Sequence, residues 1–375
     1  MATTSWNKSH PGKGIWTLST VLLTAIRLPL WLIYFLPHFN RQNPKWSLRQ
    51  ALGVRILQAV LKNMSSVEMK TPEDLKPGKE GDRFVTIQPA KKNRYIGIVS
   101  KDEQITPVTI GGTWYPKRPV PRTVTDVILH FHGGAYVIGD GRQADCGFAA
   151  KNLLEHTSAT HVLCPQYRLA SNPGGRFPAQ LQDAITSLLY LTEEMQVPAG
   201  KITISGDSAG GNLCLALLRY ISDNPKAAVP SPGCAFLWSP WVDPAGSLID
   251  GYLEESPNAP TDYLVNSFGA WGARTLSPSP SSGIKLSDPN ICFIGTAFPT
   301  LSPMFFSTGE YEALYHDNVK VYEEFSAVKG NKTELQVAAQ AVHDIILVGK
   351  VVGFEKEAAL AAKQAGEFLK RCRDI

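Results

Sequence analysis

The segment KITISGDSAGGNLCLALLRYI, residues 201–221, decides the fold. Its first five residues indicate a short strand, and residues 209–221 indicate a helix. Between them lies Gly206-Asp207-Ser208-Ala209-Gly210, a G-x-S-x-G sequence. In a strand–turn–helix setting, a tight and strained turn of this kind lifts the serine hydroxyl out at the edge of the sheet. Ser208 is therefore a candidate nucleophile. The alternative is a glycine-rich turn with an incidental serine, and the phosphate-loop pattern G-x-x-x-x-G-K-S/T is absent.

Short apolar strands alternate with helices on both sides of this segment, which is typical of parallel βαβ units covered on both faces. We expect further strands at residues 124–131, 160–165, 234–239, 304–308 and 333–339, and helices at 47–63, 144–156, 178–191, 317–328 and 354–371. Two earlier strands, at 84–88 and 95–99, are expected to form an antiparallel edge. The alternation lapses between residues 241 and 299, which favours a compact insertion over the sheet.

The bulk composition suits one large α/β domain with additions. Of 375 residues, 43% are apolar and 19% are charged, and the net charge is +4. No basic stripe interleaved with aromatic residues is present, so nucleic-acid binding is not expected. The six cysteines are scattered singly and are expected to be free thiols, and no motif indicates a metal or a cofactor.

The N-terminal segment 15–37 is apolar and long enough to cross a bilayer. Arg27 and Pro29 interrupt it, and a central arginine costs about 2.5–3.5 kcal/mol on insertion scales. The segment is therefore either a membrane-associated helix or an apolar helix packed over a substrate cleft, and the arginine favours the second. No cleavage site of the A-x-A kind follows, so an intracellular chain is expected, either cytoplasmic or attached to an internal membrane.

A serine hydroxyl needs an imidazole to take its proton. His343 follows the last expected strand, where a loop leaving the sheet could bring the ring to Ser208. The acid that orients the ring is expected after strand 304–308, where Glu310, Glu312 and Asp317 are candidates. Backbone N–H groups of Gly133, Gly134 and Ala209 are the candidate oxyanion donors, and His132 is expected to shape their loop.

These motifs together resemble the hormone-sensitive-lipase-like carboxylesterases of the α/β-hydrolase fold, and residues 29–37 (PLWLIYFLP) with 46–55 (WSLRQALGVR) resemble fungal members. The resemblance covers about residues 100–375 and runs in order through the segments His132–Ala135, Tyr167–Ala170, Gly206–Gly211, Ser239–Trp241, Gly309–Asp317 and His343. It implies a mostly parallel twisted sheet flanked by helices, formed by residues 81–240 and 300–375. It also implies that the N-terminal helices of residues 1–80 and the insertion 241–299 form a cap.

The family pattern puts the catalytic acid at Glu312, where aspartate is commoner, and leaves Asp317 as the alternative. It implies hydrolysis of a small, apolar carboxylic ester through an acyl-enzyme, without a cofactor. Asp344-Ile345 follows His343 where the family often has Gly-Phe. Two other functions stay open: acyl transfer, lactone chemistry or cyclisation in secondary metabolism by the same triad, or ligand binding without catalysis.

Overall fold

The structure is a computed structural model that describes residues 5–373. An eight-stranded sheet crosses the molecule in the order β1-β2-β4-β3-β5-β6-β7-β8. Strand β2 is antiparallel to both of its neighbours, and every other pair is parallel. The strands are β1 (Phe84–Ile87), β2 (Ile110–Tyr115), β3 (Val127–Phe131), β4 (His161–Gln166), β5 (Ile202–Asp207), β6 (Cys234–Trp238), β7 (Met304–Gly309) and β8 (Thr333–Ala338). The expected mostly parallel α/β fold is confirmed.

Helices cover both faces of this sheet, so its central strands are buried along their whole length. In β6, Ala235 and Leu237 enter one core cluster, and Phe236 and Trp238 enter the other. The helices are α1 (Gly12–Phe35), α2 (Leu48–Val67), α3 (Gln143–His156), α4 (Ala179–Leu189), α5 (Ala209–Asp223), α6 (Asn266–Leu276), α7 (Tyr315–Ala327), α8 (Ile345–Val352) and α9 (Glu355–Arg373). All six cysteines are free, as expected.

The expected strand at residues 95–99 is wrong. Two 3₁₀ turns, Lys92–Arg94 and Gly97–Ser100, occupy this region. The Tyr95 hydroxyl is held by the backbone N–H of Ala90 at 2.8 Å and by the Thr186 hydroxyl at 2.7 Å. The tyrosine therefore anchors a loop on α4, and the antiparallel partner of β1 is β2 instead.

Two helices precede the sheet and pack against each other. Helix α2 begins with a capping box, in which the Ser47 hydroxyl accepts from the Gln50 N–H and the Gln50 side chain accepts from the Ser47 N–H. Helix α2 also contacts α6, which lies in the 241–299 segment, and α8. Helix α1 is almost entirely exposed and, among the described helices, is the one long and apolar enough to cross a membrane.

Candidate active site

Ser208 lies in the turn between β5 and α5. Its φ of 50° and ψ of −113° place it in a strained region that costs about 1–3 kcal/mol. The Ser208 N–H donates to the Trp238 carbonyl at 2.8 Å, which fixes the turn against β6. A Cβ atom at Gly210 would lie 1.9 Å from the Phe131 carbonyl oxygen, so only glycine lets α5 begin this close to the end of β3.

His343 lies in the loop between β8 and α8, and its Nε2 atom is 3.0 Å from the Ser208 hydroxyl oxygen. The residues are 135 positions apart in the sequence, and the parallel sheet brings their loops to the same edge. The ring is buried, and the His343 backbone N–H donates to the Asp262 carboxylate at 3.3 Å. This arrangement lets His343 accept the Ser208 proton.

The Glu312 carboxylate lies behind the imidazole, with Oε2 3.7 Å from His343 Nδ1. That distance is a charge contact longer than a hydrogen bond. The carboxylate is fully buried and accepts four hydrogen bonds, from the Ser239 and Thr308 hydroxyls, the Gly309 N–H and the Asn318 amide. These donors compensate for the burial of a carboxylate and hold it in one position.

The other two candidate acids have different partners. Glu310 accepts hydrogen bonds from the backbone and side-chain amides of Gln340. Asp317 accepts a hydrogen bond of 2.6 Å from the Tyr252 hydroxyl. Of the three candidates, Glu312 is the one that the structure brings to His343.

The sequence analysis did not predict a role for a further acid, Asp262, because this residue lies in the insertion, outside any motif. Its carboxylate accepts from the backbone N–H groups of Tyr263, Ala313 and His343. Burial raises the pKa of Asp262 to about 6, against the lowering effect of His343 and these donors. This side chain joins the insertion to the loops that carry His343 and Glu312.

The electrostatic surroundings of His343 favour its protonated form. Burial lowers the pKa of the imidazole, but Glu312, Asp262 and Asp207 together raise it more, so the pKa lies above its ordinary value. Because its pKa is raised, His343 stays protonated to a higher pH. The neutral imidazole, which is the form that accepts the Ser208 proton, therefore predominates only at higher pH.

The candidate oxyanion donors lie beside Ser208. Gly133 and Gly134 line the same cavity, and Ala209 is the first residue of α5, where a backbone N–H has no partner within the helix. Gly134 has a φ of +98°, which glycine adopts without strain. The Tyr167 hydroxyl donates to the His132 carbonyl at 2.6 Å, and His132 Nδ1 lies 2.7 Å from the Gly133 carbonyl oxygen, so His132 shapes this loop.

Two buried carboxyl groups meet behind Gly133. A Cβ atom on Gly133 would lie 2.4 Å from Asp207 Oδ2 and 3.2 Å from Asp344 Oδ2. Both carboxyl groups are buried, so ionisation of one disfavours ionisation of the other. Burial and the neighbouring Asp207 carboxylate raise the pKa of Asp344 well above its usual range, so Asp344 is the member of the pair that favours the protonated form. His130 Nε2 contacts Asp207 at 3.1 Å.

Ser208, His343 and Asp344 line a cavity of about 340 Å³. Helix α2 contributes Leu57, Val60, Leu61 and Met64 to its wall, and the insertion contributes Tyr263, Leu264 and Phe268. Helix α1 contributes no residue to this wall, so the expected packing of residues 15–37 over a substrate cleft is wrong. The cavity is mostly apolar, with its polar groups gathered around Ser208.

Comparisons with known proteins agree with this geometry. A family model described as the alpha/beta hydrolase fold matches residues 128–347, which is more than half of the chain. The chain is 34% identical over 140 residues to an acetyl-hydrolase from Streptomyces hygroscopicus, covering 36% of this chain and 42% of that protein. It is 26% identical over 317 residues to carboxylesterase NlhH from Mycobacterium tuberculosis, covering 82% and 86%. The chain spans under half the length of the acetyl-hydrolase and 49% of an arylesterase from Saccharolobus solfataricus.

Solved structures show the same fold. An esterase/lipase from an uncultured bacterium superposes with a TM-score of 0.61 at 22% identity, covering 88% of this chain and all of that one. An esterase from Pyrobaculum calidifontis gives a TM-score of 0.59 at 20% identity, covering 86% and 91%. By its matched family model and its motifs, the chain belongs to the α/β-hydrolase fold family, in the hormone-sensitive-lipase-like branch.

Proposed function

We propose that this chain hydrolyses carboxylic esters with Ser208 as nucleophile, His343 as general base and Glu312 as the residue that orients the base. The observation that carries the proposal is the 3.0 Å contact between His343 Nε2 and the Ser208 hydroxyl inside an apolar cavity. The named activities of the relatives, which include ethyl acetate hydrolase and carboxylesterase, support the same reaction class.

In the proposed reaction, the Ser208 oxygen attacks the ester carbonyl while His343 Nε2 takes the hydroxyl proton. The carbonyl oxygen gains negative charge, which the N–H groups of Gly133, Gly134 and Ala209 stabilise. His343 then protonates the leaving alcohol, and an acyl group remains on Ser208. Water, deprotonated by His343, attacks the acyl-enzyme and releases the acid.

The shape of the cavity favours a small ester with an apolar acyl or alcohol group. The cavity of about 340 Å³ has walls of aliphatic and aromatic side chains from α2 and from the insertion. Burial of apolar substrate surface against these walls stabilises binding. We therefore propose that residues 1–80, through α2, and residues 241–299 act together as the cap that selects the substrate, over a core of residues 81–240 and 300–375.

Kinetics with p-nitrophenyl acetate and butyrate test the triad. We expect Ser208→Ala to lower kcat by roughly 10⁴–10⁶, and Glu312→Gln to lower it by roughly 10⁴. Glu312→Gln also removes an anion that raises the pKa of His343, so the acidic limb of the pH profile moves to lower pH.

Asp317→Asn is the matched control and is expected to keep wild-type turnover, because Asp317 binds Tyr252. Unchanged hydrolysis by Ser208→Ala contradicts the proposal. Labelling of Ser208 by a fluorophosphonate without ester turnover supports acyl transfer instead, and no labelling supports a binding protein.

We also propose that the chain contacts an internal membrane through residues 15–37. The large apolar side chains of α1 are exposed, among them Leu18, Leu22, Ile26 and Ile33. An exposed apolar surface of this length on a soluble domain marks an interaction site. Recovery of the full chain in the membrane fraction, and loss of that recovery without residues 1–40, are the expected results.

A further inference from the structure

The groove between α1 and α2 carries positive charge that no carboxylate in its lining balances. Arg27 of α1 and Arg55 and Lys62 of α2 line a cavity of about 360 Å³, and none of the residues lining it is Asp or Glu. The Arg55 guanidinium lies 5.6 Å from the centre of the Trp31 ring, at the same groove. Three cations beside two tryptophans, Trp16 and Trp31, suit an anionic group at an apolar boundary.

The rest of α1 is apolar and faces solvent. Large side chains such as Val21, Leu22 and Leu30 are more than half exposed. The helix of 24 residues is about 36 Å long. The side of α1 that faces the groove carries Thr20, Thr24 and Arg27, and α2 adds two cations beside it, so the pair of helices together presents an apolar surface bordered by positive charge, as at a membrane interface.

Contacts around α1 hold it along α2, which favours the in-plane position over a span. Just before α1, Lys8 forms an ion pair of 2.6 Å with Glu68, and Asn7 donates to the carbonyl of Ser66 in α2 at 2.7 Å. In the segment that connects the two helices, Arg41 donates to the carbonyls of Phe35 and Trp46. A spanning α1 would break the contacts of Asn7 and Lys8 with α2 and carry Arg27 into the bilayer core.

The two faces of α2 serve different cavities. Leu57, Leu61 and Met64 line the catalytic cavity, whereas Arg55 and Lys62 line the groove on the opposite side of the helix. A substitution in the groove therefore leaves the catalytic cavity lining intact. The groove can be tested without disturbing the reaction.

We propose that α1 lies on an anionic bilayer and that the groove of Arg27, Arg55 and Lys62 binds the phosphate of an anionic phospholipid. The phosphate oxygens accept charge-assisted hydrogen bonds from the guanidinium and ammonium groups. The acyl chains of the same lipid lie along the exposed apolar side chains of α1. This proposal rests on the membrane contact of residues 15–37 proposed above, and it does not depend on the proposed ester hydrolysis.

Vesicle flotation of the full chain tests the lipid site. Vesicles of phosphatidylcholine alone are compared with vesicles that also contain phosphatidylglycerol. We expect tighter binding to the mixed vesicles. The triple variant Arg27→Gln, Arg55→Gln, Lys62→Gln should bind them roughly 100-fold more weakly, since each cation near an anionic surface contributes about fivefold.

The matched control removes the same net charge from exposed positions of α9, with Lys356→Gln, Lys363→Gln and Lys370→Gln. This control should keep the preference for mixed vesicles. Leu22→Glu with Ile26→Glu should lose binding to both vesicles. Ser208→Ala should bind like the wild type, which separates this result from the test of hydrolysis, and thermal melting checks that each variant folds.

The proposal is overturned if the groove variant binds mixed vesicles as the wild type does, or if the α9 variant loses as much affinity. A second set of results also overturns the proposal. In it, the chain binds neither kind of vesicle and forms a dimer in lipid-free buffer, and the double variant Leu22→Glu with Ile26→Glu dissociates that dimer. In that case a second copy of the chain covers α1.

Discussion

At the scale of single residues, the active site contains buried acids with different surroundings. Glu312 accepts hydrogen bonds from four donors and lies 3.7 Å from His343 Nδ1. Asp344 instead faces the Asp207 carboxylate, and burial together with that carboxylate raises its pKa well above its usual range, which favours the protonated form.

Asp344 gives a prediction about the pH dependence of the reaction. As the pH rises and Asp344 loses its proton, two carboxylates face each other behind Gly133, with Glu312 close by. We expect kcat/KM to fall as that proton leaves. Asp344→Asn keeps an N–H donor toward Asp207 and tolerates the φ of 55°, so it should stay active and lose this decline.

Asp344→Ala provides the contrast for that measurement. Alanine donates nothing to the buried Asp207 carboxylate, so the free energy of unfolding should fall by about 1–3 kcal/mol. The pH dependence of kcat/KM is measured for all three proteins. A decline of kcat/KM with rising pH that is identical in the wild type and in Asp344→Asn contradicts the role assigned to the pair.

The sequence predicted part of this residue-level picture. Ser208 and His343 were predictable because the G-x-S-x-G turn and the loop after the last strand have fixed places in a parallel sheet. Asp262 was not predictable, because its contact with His343 depends on how the irregular insertion 241–299 packs against the loop after β8. The Asp207–Asp344 pair was not predictable, because Asp207 occupies an unspecified position of the G-x-S-x-G sequence and Asp344 stands where the family often has glycine.

At the scale of elements, the parallel strands and the edge strand β1 were predictable, and the antiparallel partner of β1 was not. The central parallel strands are buried apolar runs that alternate with helices, so their pattern is clear. Strand β2 contains Gly111 and Gly112, which weaken a strand signal. A Cβ atom on Gly111 would lie 2.6 Å from the Phe84 ring, so glycine is required there by packing that the sequence does not display.

Helix α2 gives a prediction about substrate size. Met64 lines the catalytic cavity, and Met64→Trp should fill part of its volume. We expect hydrolysis of p-nitrophenyl octanoate to fall roughly tenfold or more relative to p-nitrophenyl acetate. Leu360→Trp, at an exposed position of α9, is the control and should leave the ratio unchanged. An unchanged ratio in Met64→Trp would mean that the acyl chain does not reach α2.

At the scale of the whole molecule, one buried ion pair connects distant parts of the chain. Arg168 follows β4, and its guanidinium contacts Asp183 of α4 at 2.7 Å. It also donates to the Thr106 carbonyl at 2.9 Å and to the Gln182 side chain at 2.9 Å. Asp183 is fully buried, and Arg168 is its charged partner. The pair fixes α4 and the loop before β2 against the end of β4.

Removing Arg168 should therefore destabilise the fold more than it changes the chemistry. Arg168→Met leaves the Asp183 carboxylate buried without its cation, which costs about 3–5 kcal/mol of the free energy of unfolding. Burial already raises the pKa of Asp183 against the lowering effect of Arg168, and without Arg168 the pKa rises further. Protonation of Asp183 then relieves the unpaired charge, so the loss of stability should be smaller at pH 5 than at pH 8.

The double variant Arg168→Met with Asp183→Leu separates the charge from the packing. It removes both ions and leaves apolar side chains of similar size, so most of the lost stability should return. Urea denaturation followed by tryptophan fluorescence gives the midpoint for each protein at both pH values. A single variant as stable as the wild type at pH 8, or a double variant no better than the single one, would mean that the Arg168–Asp183 pair does not hold these segments together.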